Sequence, residues 1–220
     1  MCTHCGFCLE TCPTYTVLRN EVHSPRGRIE AIRAGIDSPA FDTCMYCRLC
    51  ETACPAGVRY GEIIIPYRKP NVKESIVNKV LENPKSLTSF LRIAKNLNIE
   101  EAKRFKEFTE GLEISEPLEN DEKEYDIILF PGCMESVLAR KTVEKAYRFL
   151  SKFFKVRIVN GCCGFSRFST GDVEGARKLA LKLKDKVGNK PVITLQSNCA
   201  SFMKDYQSYF GINIEAYDFA

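Results

Sequence analysis

Eight cysteines near the amino terminus fall into two runs of one spacing: Cys2, Cys5, Cys8 and Cys12 ahead of Pro13, then Cys44, Cys47, Cys50 and Cys54 ahead of Pro55. The pattern C-x2-C-x2-C-x3-C-P therefore recurs 42 positions along, from Cys2 to Cys44, as an internal repeat. Three thiolates spaced three residues apart wrap a short loop around three corners of an iron–sulfur cubane. The fourth, followed by a proline that redirects the chain, reaches the other cluster. The spacing thus predicts two 4Fe-4S clusters with exchanged last ligands: Cys2, Cys5, Cys8 and Cys54 on one, Cys44, Cys47, Cys50 and Cys12 on the other. Such interlocking should keep the clusters near enough for rapid electron exchange. Zinc suits the pattern poorly, because its tetrahedral sites favour CxxC pairs split by a longer spacer. Thiols this close together in a reducing compartment also have little reason to pair as disulfides.

Between the runs, His23-Ser24-Pro25-Arg26-Gly27-Arg28 reads as a turn that opens a helix through Ile29, Ile32 and Ile36. Arg26 and Arg28 admit two readings, as offsets to cluster charge or as ordinary surface arginines at a helix start. His4, inside the first loop, reads as an exposed polar residue without a role.

Four more cysteines stand where strands should end. Ile127-Ile128-Leu129-Phe130 is a continuous apolar run, as expected of a strand buried on both faces, and it stops at Pro131-Gly132-Cys133. A helix bearing Val137, Val143, Ala146, Tyr147, Leu150 and Phe154 follows, then a strand at Val156-Arg157-Ile158-Val159 ending in Gly161-Cys162-Cys163-Gly164. After a further helix, a third strand at residues 191–195 leads to Asn198-Cys199 and a last helix carrying Phe202, Tyr206 and Tyr209. Alternating strands and helices pair in parallel through right-handed crossovers, so all three strand ends lie on one sheet edge. Cys133, Cys162, Cys163 and Cys199 should gather there, where open α/β sheets place ligands. The helix amino termini at that edge would favour thiolate. A third iron–sulfur cluster, a redox-active vicinal disulfide and plain buried packing all remain open for these four.

The elements that position these cysteines are joined by a helical stretch from Asn71 to Gly111. Its apolar residues Ile76, Val80, Leu87, Phe90, Leu91, Ala94, Leu97, Phe105 and Phe108 recur three or four apart, with breaks at Pro84 and around Asn98. From Glu113 to Asp126 the chain is strongly acidic, with Lys123 its single basic residue and Pro117 inside, a composition expected to resist packing and to mark a boundary. Across the 220 residues, 32 basic and 28 acidic side chains give a net charge of +4. That balance is too even for the basic footprint of a nucleic-acid binder. No apolar run approaches the roughly 18 residues of a membrane span, and the start lacks the regions of a signal peptide, so a cytoplasmic protein is expected.

The segments Cys2-Thr3-His4-Cys5-Gly6-Phe7-Cys8, Ser24-Pro25-Arg26-Gly27-Arg28, Cys50-Glu51-Thr52-Ala53-Cys54-Pro55 and Gly57-Val58-Arg59-Tyr60-Gly61 resemble the glycolate oxidase iron–sulfur subunit family. Lactate-utilisation iron–sulfur proteins, the iron–sulfur subunit of anaerobic glycerol-3-phosphate dehydrogenase and heterodisulfide reductase subunits are related to it. Cys162-Cys163-Gly164, with Cys133 before and Cys199 after, resembles the cysteine-rich CCG domain of these proteins. The resemblance implies an electron relay. A separate FAD-containing subunit oxidises a 2-hydroxy acid such as glycolate or lactate, and this chain passes the electrons to an acceptor. The sequence carries no G-x-G-x-x-G element for a dinucleotide of its own. The family usually has two CCG domains, so the resemblance leaves the second to a separate chain, to a symmetry-related copy or to no chain at all, with any membrane association peripheral and through partners. Where the fullest motif ends in CxxC this chain has Phe202, which favours the glycolate oxidase branch over a heterodisulfide-reductase-like thiol/disulfide subunit. The expected fold class is α+β. A helical two-cluster ferredoxin-like domain spans 1–70, a helical connector and acidic linker 71–124, and an α/β CCG domain with a short parallel sheet 125–220.

Overall fold

The computed structural model describes residues 1–96, 107 and 111–220. The chain forms two compact units, Met1–Val72 with Ser166–Val173, and Lys73–Phe165 with Glu174–Ala220. The fold is α+β, with the strands confined to the second unit.

In the first unit, short helices alternate with the cysteine loops: α1 (Pro13–Leu18), α2 (Pro25–Arg33), α3 (Leu49–Thr52) and α4 (Tyr60–Ile64). Proline at the first helical position sets where α1 and α2 begin, since its fixed φ suits a helix start and its missing N–H is not needed there. Cys12 is the N-cap of α1, and the Ser24 hydroxyl caps α2 by accepting the Gly27 N–H at 3.0 Å. A Cβ on Gly27 would lie 2.0 Å from the Glu21 carbonyl oxygen, so only glycine fits there. The expected helix stops short of Ile36, which is exposed beyond the end of α2, because Gly35 takes a left-handed turn at φ 67°. Phe41, Tyr46, Tyr60 and Ile64 form the buried interior, and the Phe168 ring meets Tyr46 edge-on at 5.8 Å.

The second unit is built on a four-stranded parallel sheet in the order β2-β1-β3-β4, with β1 Ile127–Phe130, β2 Val156–Ile158, β3 Val192–Thr194 and β4 Ala216–Asp218. Every residue of β1 is buried, as its unbroken apolar run requires. The fourth strand has no counterpart in the sequence reading. Its signal is the alternation of buried Ile212, Ile214 and Ala216, too short to stand out beside the helices. The helix expected after β1 is two, α7 (Glu135–Leu138) and α8 (Arg140–Leu150), broken at Ala139, whose backbone lies outside helical space; Phe154 falls beyond α8 and is exposed. Val143, Ala146 and Leu150 of α8 pack on Ile127, Leu129, Val156 and Ile158, and each buried aliphatic side chain of this kind contributes about 1.5–3 kcal/mol.

α5 (Val72–Leu81) and α6 (Pro84–Ala94) are separated at Pro84, with Asn83 capping α6. The predicted stripe is only partly a core. Leu87 and Leu91 pack with Val137, while Ile76 and Phe90 are exposed; Leu97, Asn98, Phe105 and Phe108 lie outside the described residues. The acidic stretch, expected to resist packing, is docked instead. The Asn120 side chain donates to the Val156 carbonyl at 2.8 Å and accepts the Ile158 N–H at 2.8 Å, and Asn160 donates to the Leu118 carbonyl. These bonds satisfy the open edge of β2, so hydrogen-bond demand outweighs charge repulsion.

Candidate metal centres

The two cysteine loops share a backbone device that spacing alone does not reveal. His4 and Gly6 bracket Cys5 with φ of 57° and 89°, and Tyr46 and Arg48, 42 positions later, bracket Cys47 with φ of 53° and 60°. Left-handed residues on either side of the middle cysteine curl each loop so that amide N–H groups turn inward, the concavity that iron–sulfur sites use. Three of the four are not glycine, and such strain is retained where a site requires it. The Tyr46 N–H lies 3.4 Å from Cys44 Sγ, and the Val58 N–H 3.4 Å from Cys54 Sγ. The Phe7 N–H directed at Cys5 lowers that thiol's pKa.

Cys2, Cys5 and Cys8 lie within electrostatic reach of one another. Burial raises the Cys8 pKa, and the other two sulfurs push it the same way. Cys44, Cys47 and Cys50 form the corresponding set. Burial holds the Cys50 thiol well above its ordinary value, with Cys44 and Cys47 adding to it and Cys8 contributing across from the first loop. One cavity is lined by Cys12 together with Cys44, Cys47 and Cys50, so the fourth cysteine of the first run stands with the first three of the second. A thiol buried like Cys50 stays protonated unless a metal or a cation compensates the thiolate charge, and four sulfurs lining one cavity beside it suit a metal cluster.

Two buried arginines serve this second loop. Arg68, which sequence reasoning passed over, donates through Nη1 to the Cys44 carbonyl at 2.8 Å and through Nη2 to the Asp42 carbonyl at 3.4 Å. Arg28 lines the four-cysteine cavity and is 1% exposed, which excludes the surface reading. Arg26 is different: half-buried, it pairs with Glu21 and donates to the His4 carbonyl at 2.9 Å. His4 sits at the surface, with its Nε2 3.2 Å from Glu30.

In the second unit the sheet edge gathers the remaining four cysteines. Cys133 follows Gly132 after β1, Cys162 and Cys163 follow β2, and Cys199 lies in the first turn of α9 (Ser197–Phe210) after β3. β1 lies between β2 and β3, so connections leave it on both sides and the crevice opens at its carboxyl end. Cys163 and Cys199 sulfurs are 3.2 Å apart, and Cys133 bonds to Cys162, which raises the Cys133 pKa together with burial. Hydrogen bonds that Cys163 makes as donor toward Cys162 and Cys199, with burial, raise its pKa as well. Gly164 has φ 89°, and a Cβ there would meet the Ala176 carbonyl oxygen at 3.0 Å, so the turn holding the vicinal pair needs glycine. The Tyr206 hydroxyl donates to the Cys163 carbonyl. Among the described residues, no three His, Cys, Asp or Glu side chains are arranged to hold a single metal ion.

Residues 1–58 match the family described as the 4Fe-4S dicluster domain. The chain is 27% identical over 237 residues to the glycolate oxidase iron–sulfur subunit of Escherichia coli, covering 93% of this chain and 58% of that protein. It is 41% identical over 93 residues to the probable glycolate oxidase iron–sulfur subunit of Bacillus subtilis, covering 36% of this chain and 21% of that protein. An uncharacterised iron–sulfur protein of Methanococcus maripaludis matches at 25% over 94% of this chain and 44% of its own length. The chain therefore spans less than two thirds of each of these relatives. No solved structure matches. Fold, cysteine loops and dicluster match together define an iron–sulfur protein of the electron-transfer kind. Within that class the chain is similar to glycolate oxidase iron–sulfur subunits. No helix among the described residues is long and apolar enough to cross a membrane.

Proposed function

We propose that this chain is the electron-transfer subunit of a flavin-dependent 2-hydroxyacid dehydrogenase of the glycolate or lactate type. It would receive electrons from an FAD-containing partner and pass them through two 4Fe-4S clusters to an acceptor. Cys2, Cys5, Cys8 and Cys54 hold the first cluster, and Cys44, Cys47, Cys50 and Cys12 the second. Bound clusters supply one-electron chemistry without proton transfer at the protein. The chain's own residues hold and insulate them. The inward N–H groups of each loop offset sulfur charge, the thiols fix the corners, and the buried Tyr60 and Arg28 line the second cavity.

The observation that carries this reading is the cavity shared by Cys12 with Cys44, Cys47 and Cys50, the exchange of last ligands that two interlocked cubanes need. Anaerobically purified protein is expected to contain about eight irons if only these two cubanes form. Zinc in place of iron, with no brown chromophore after reconstitution, overturns it. Co-purification of a flavoprotein under anaerobic conditions tests the partner, and a further chain bearing a CCG domain would complete the assembly.

A second reading concerns the quartet at the sheet edge, which serves either as a third cluster or as a thiol/disulfide station of the heterodisulfide-reductase kind. The 3.2 Å approach of Cys163 to Cys199 favours the latter: closing that pair to a disulfide would release two protons to solvent and two electrons to a one-electron acceptor such as a 4Fe-4S cluster, taken in two steps. About twelve irons, falling to about eight in Cys163→Ser, would assign a cluster to the quartet instead.

A further inference from the structure

Arg28 carries a buried positive charge that no acid balances. Its Nε donates to the Ala40 carbonyl at 2.7 Å, and its Nη2 to the hydroxyls of Thr14 at 3.0 Å and Thr43 at 2.9 Å. All three acceptors are neutral, and no carboxylate pairs with it among the described residues. The position is fixed from both cysteine runs. Thr14 follows Cys12 by two residues and lies 3.2 Å from its sulfur, Thr43 directly precedes Cys44, and both hydroxyls also bond to His23. A guanidinium taken out of water without a counter-charge is strongly unfavourable, and hydrogen bonds to neutral oxygens replace only part of its hydration. The uncompensated charge faces the cavity lined by Cys12, Cys44, Cys47 and Cys50.

We propose that Arg28 is the internal counter-ion of the cluster held by Cys44, Cys47, Cys50 and Cys12, and that it raises the reduction potential of that cluster alone. The inference rests on the ligand assignment above. Four thiolates around a cubane make an anionic centre that gains a further negative charge on reduction, and a fixed cation nearby stabilises the reduced form more than the oxidised one. Arg26 beside the first loop differs in being half-buried and paired with Glu21. Arg28 is thus a positioning residue that acts through electrostatics and has no bond to the metal.

The test is an anaerobic redox titration of the reconstituted full chain, following each cluster's paramagnetic signal, with wild type, Arg28→Gln and Arg28→Lys compared alongside iron analysis. Arg28→Gln should favour the oxidised form of one cluster at least tenfold, a shift of 59 mV or more to lower potential for a one-electron couple, and leave the other unmoved. Arg28→Lys retains the charge and should stay near wild type. Should Arg28→Gln instead lose the iron of one cluster while Arg28→Lys keeps it, charge is again the decisive property and the proposal stands. If Gln and Lys variants behave alike, whether both shift, both lose iron or neither changes, the guanidinium is a structural tie and the proposal falls. Wild-type protein that takes up no cubanes would remove the ligand assignment itself, an outcome separate from any effect at Arg28.

Discussion

The two cysteine loops have the same spacing and the same left-handed residues around their middle cysteine, yet they sit in different surroundings. In the first, His4 is exposed, Gly6 relieves one of the two strained positions, and the nearby Arg26 is paired with Glu21. In the second, the equivalent positions are the buried Tyr46 and the arginine Arg48, Cys50 is buried, and Arg28 and Arg68 approach from inside. Repetition fixes the geometry that a cubane needs, whereas burial and charge are free to diverge. Since potentials depend on hydrogen bonding, burial and local charge, two copies of one motif can provide two electrochemically distinct stations.

The sharpest way to break this comparison is to remove ligands that the reading assigns to one cluster but that come from different loops. Cys12→Ser and Cys47→Ser should each cost about four irons and abolish the same paramagnetic signal, while Cys5→Ser abolishes the other. Loss of one signal by Cys12→Ser and Cys5→Ser together, with Cys47→Ser affecting its own, would mean that each run holds its cluster alone. A smaller contrast should appear in iron-free protein, where thiol reactivity follows thiolate population. The Phe7 N–H lowers the pKa of exposed Cys5, whereas burial lifts that of Cys50. Near pH 8, iodoacetamide should therefore modify Cys5 well before Cys50, and the gap should persist as pH rises, because burial keeps the Cys50 thiol far above the ordinary range. Tandem mass spectrometry of timed samples reads the order, and equal rates at the two sulfurs would show that the loops do not differ as described.

Much of this was legible in the sequence because it is periodic. The repeat of C-x2-C-x2-C-x3-C-P gives the two loops, and the apolar runs at Ile127–Phe130 and Val156–Ile158 give strands whose ends gather Cys133, Cys162, Cys163 and Cys199. Features that rest on single long-range bonds were not legible. Arg68 lies 24 residues from the carbonyl it serves, and Arg28 fits a cluster counter-charge and a surface arginine equally well until its burial decides between them. Composition also misled at the acidic stretch, where Asn120 and Asn160 tie the backbone to the β2 side of the sheet despite the surrounding charge. The left-handed pair in each loop had one clue, Gly6. Its counterpart is Arg48, so aligning the repeats against each other hides the shared conformation.

That mismatch supplies the smallest and most discriminating contrast. Gly6 holds φ 89°, where a side chain is strained, and a Cβ there would also press on the Arg26 guanidinium at 3.0 Å, a flexible group that can move aside. Gly6→Ala should destabilise the loop by about 1–2 kcal/mol, the usual cost of a left-handed L-residue. Arg48→Gly relieves strain of the same kind at φ 60° but removes the ion pair to Glu51 at 2.9 Å, a half-buried contact worth about 0.5–1 kcal/mol. The two terms oppose each other, so the net change should stay within about 0.5 kcal/mol of zero. Urea midpoints for bleaching of the cluster chromophore compare the variants under one condition. Gly6→Ala should lower the midpoint clearly while Arg48→Gly leaves it near wild type. Equal losses in both would mean that the left-handed conformation is not what the two loops share, and that Arg48 holds its loop chiefly through Glu51.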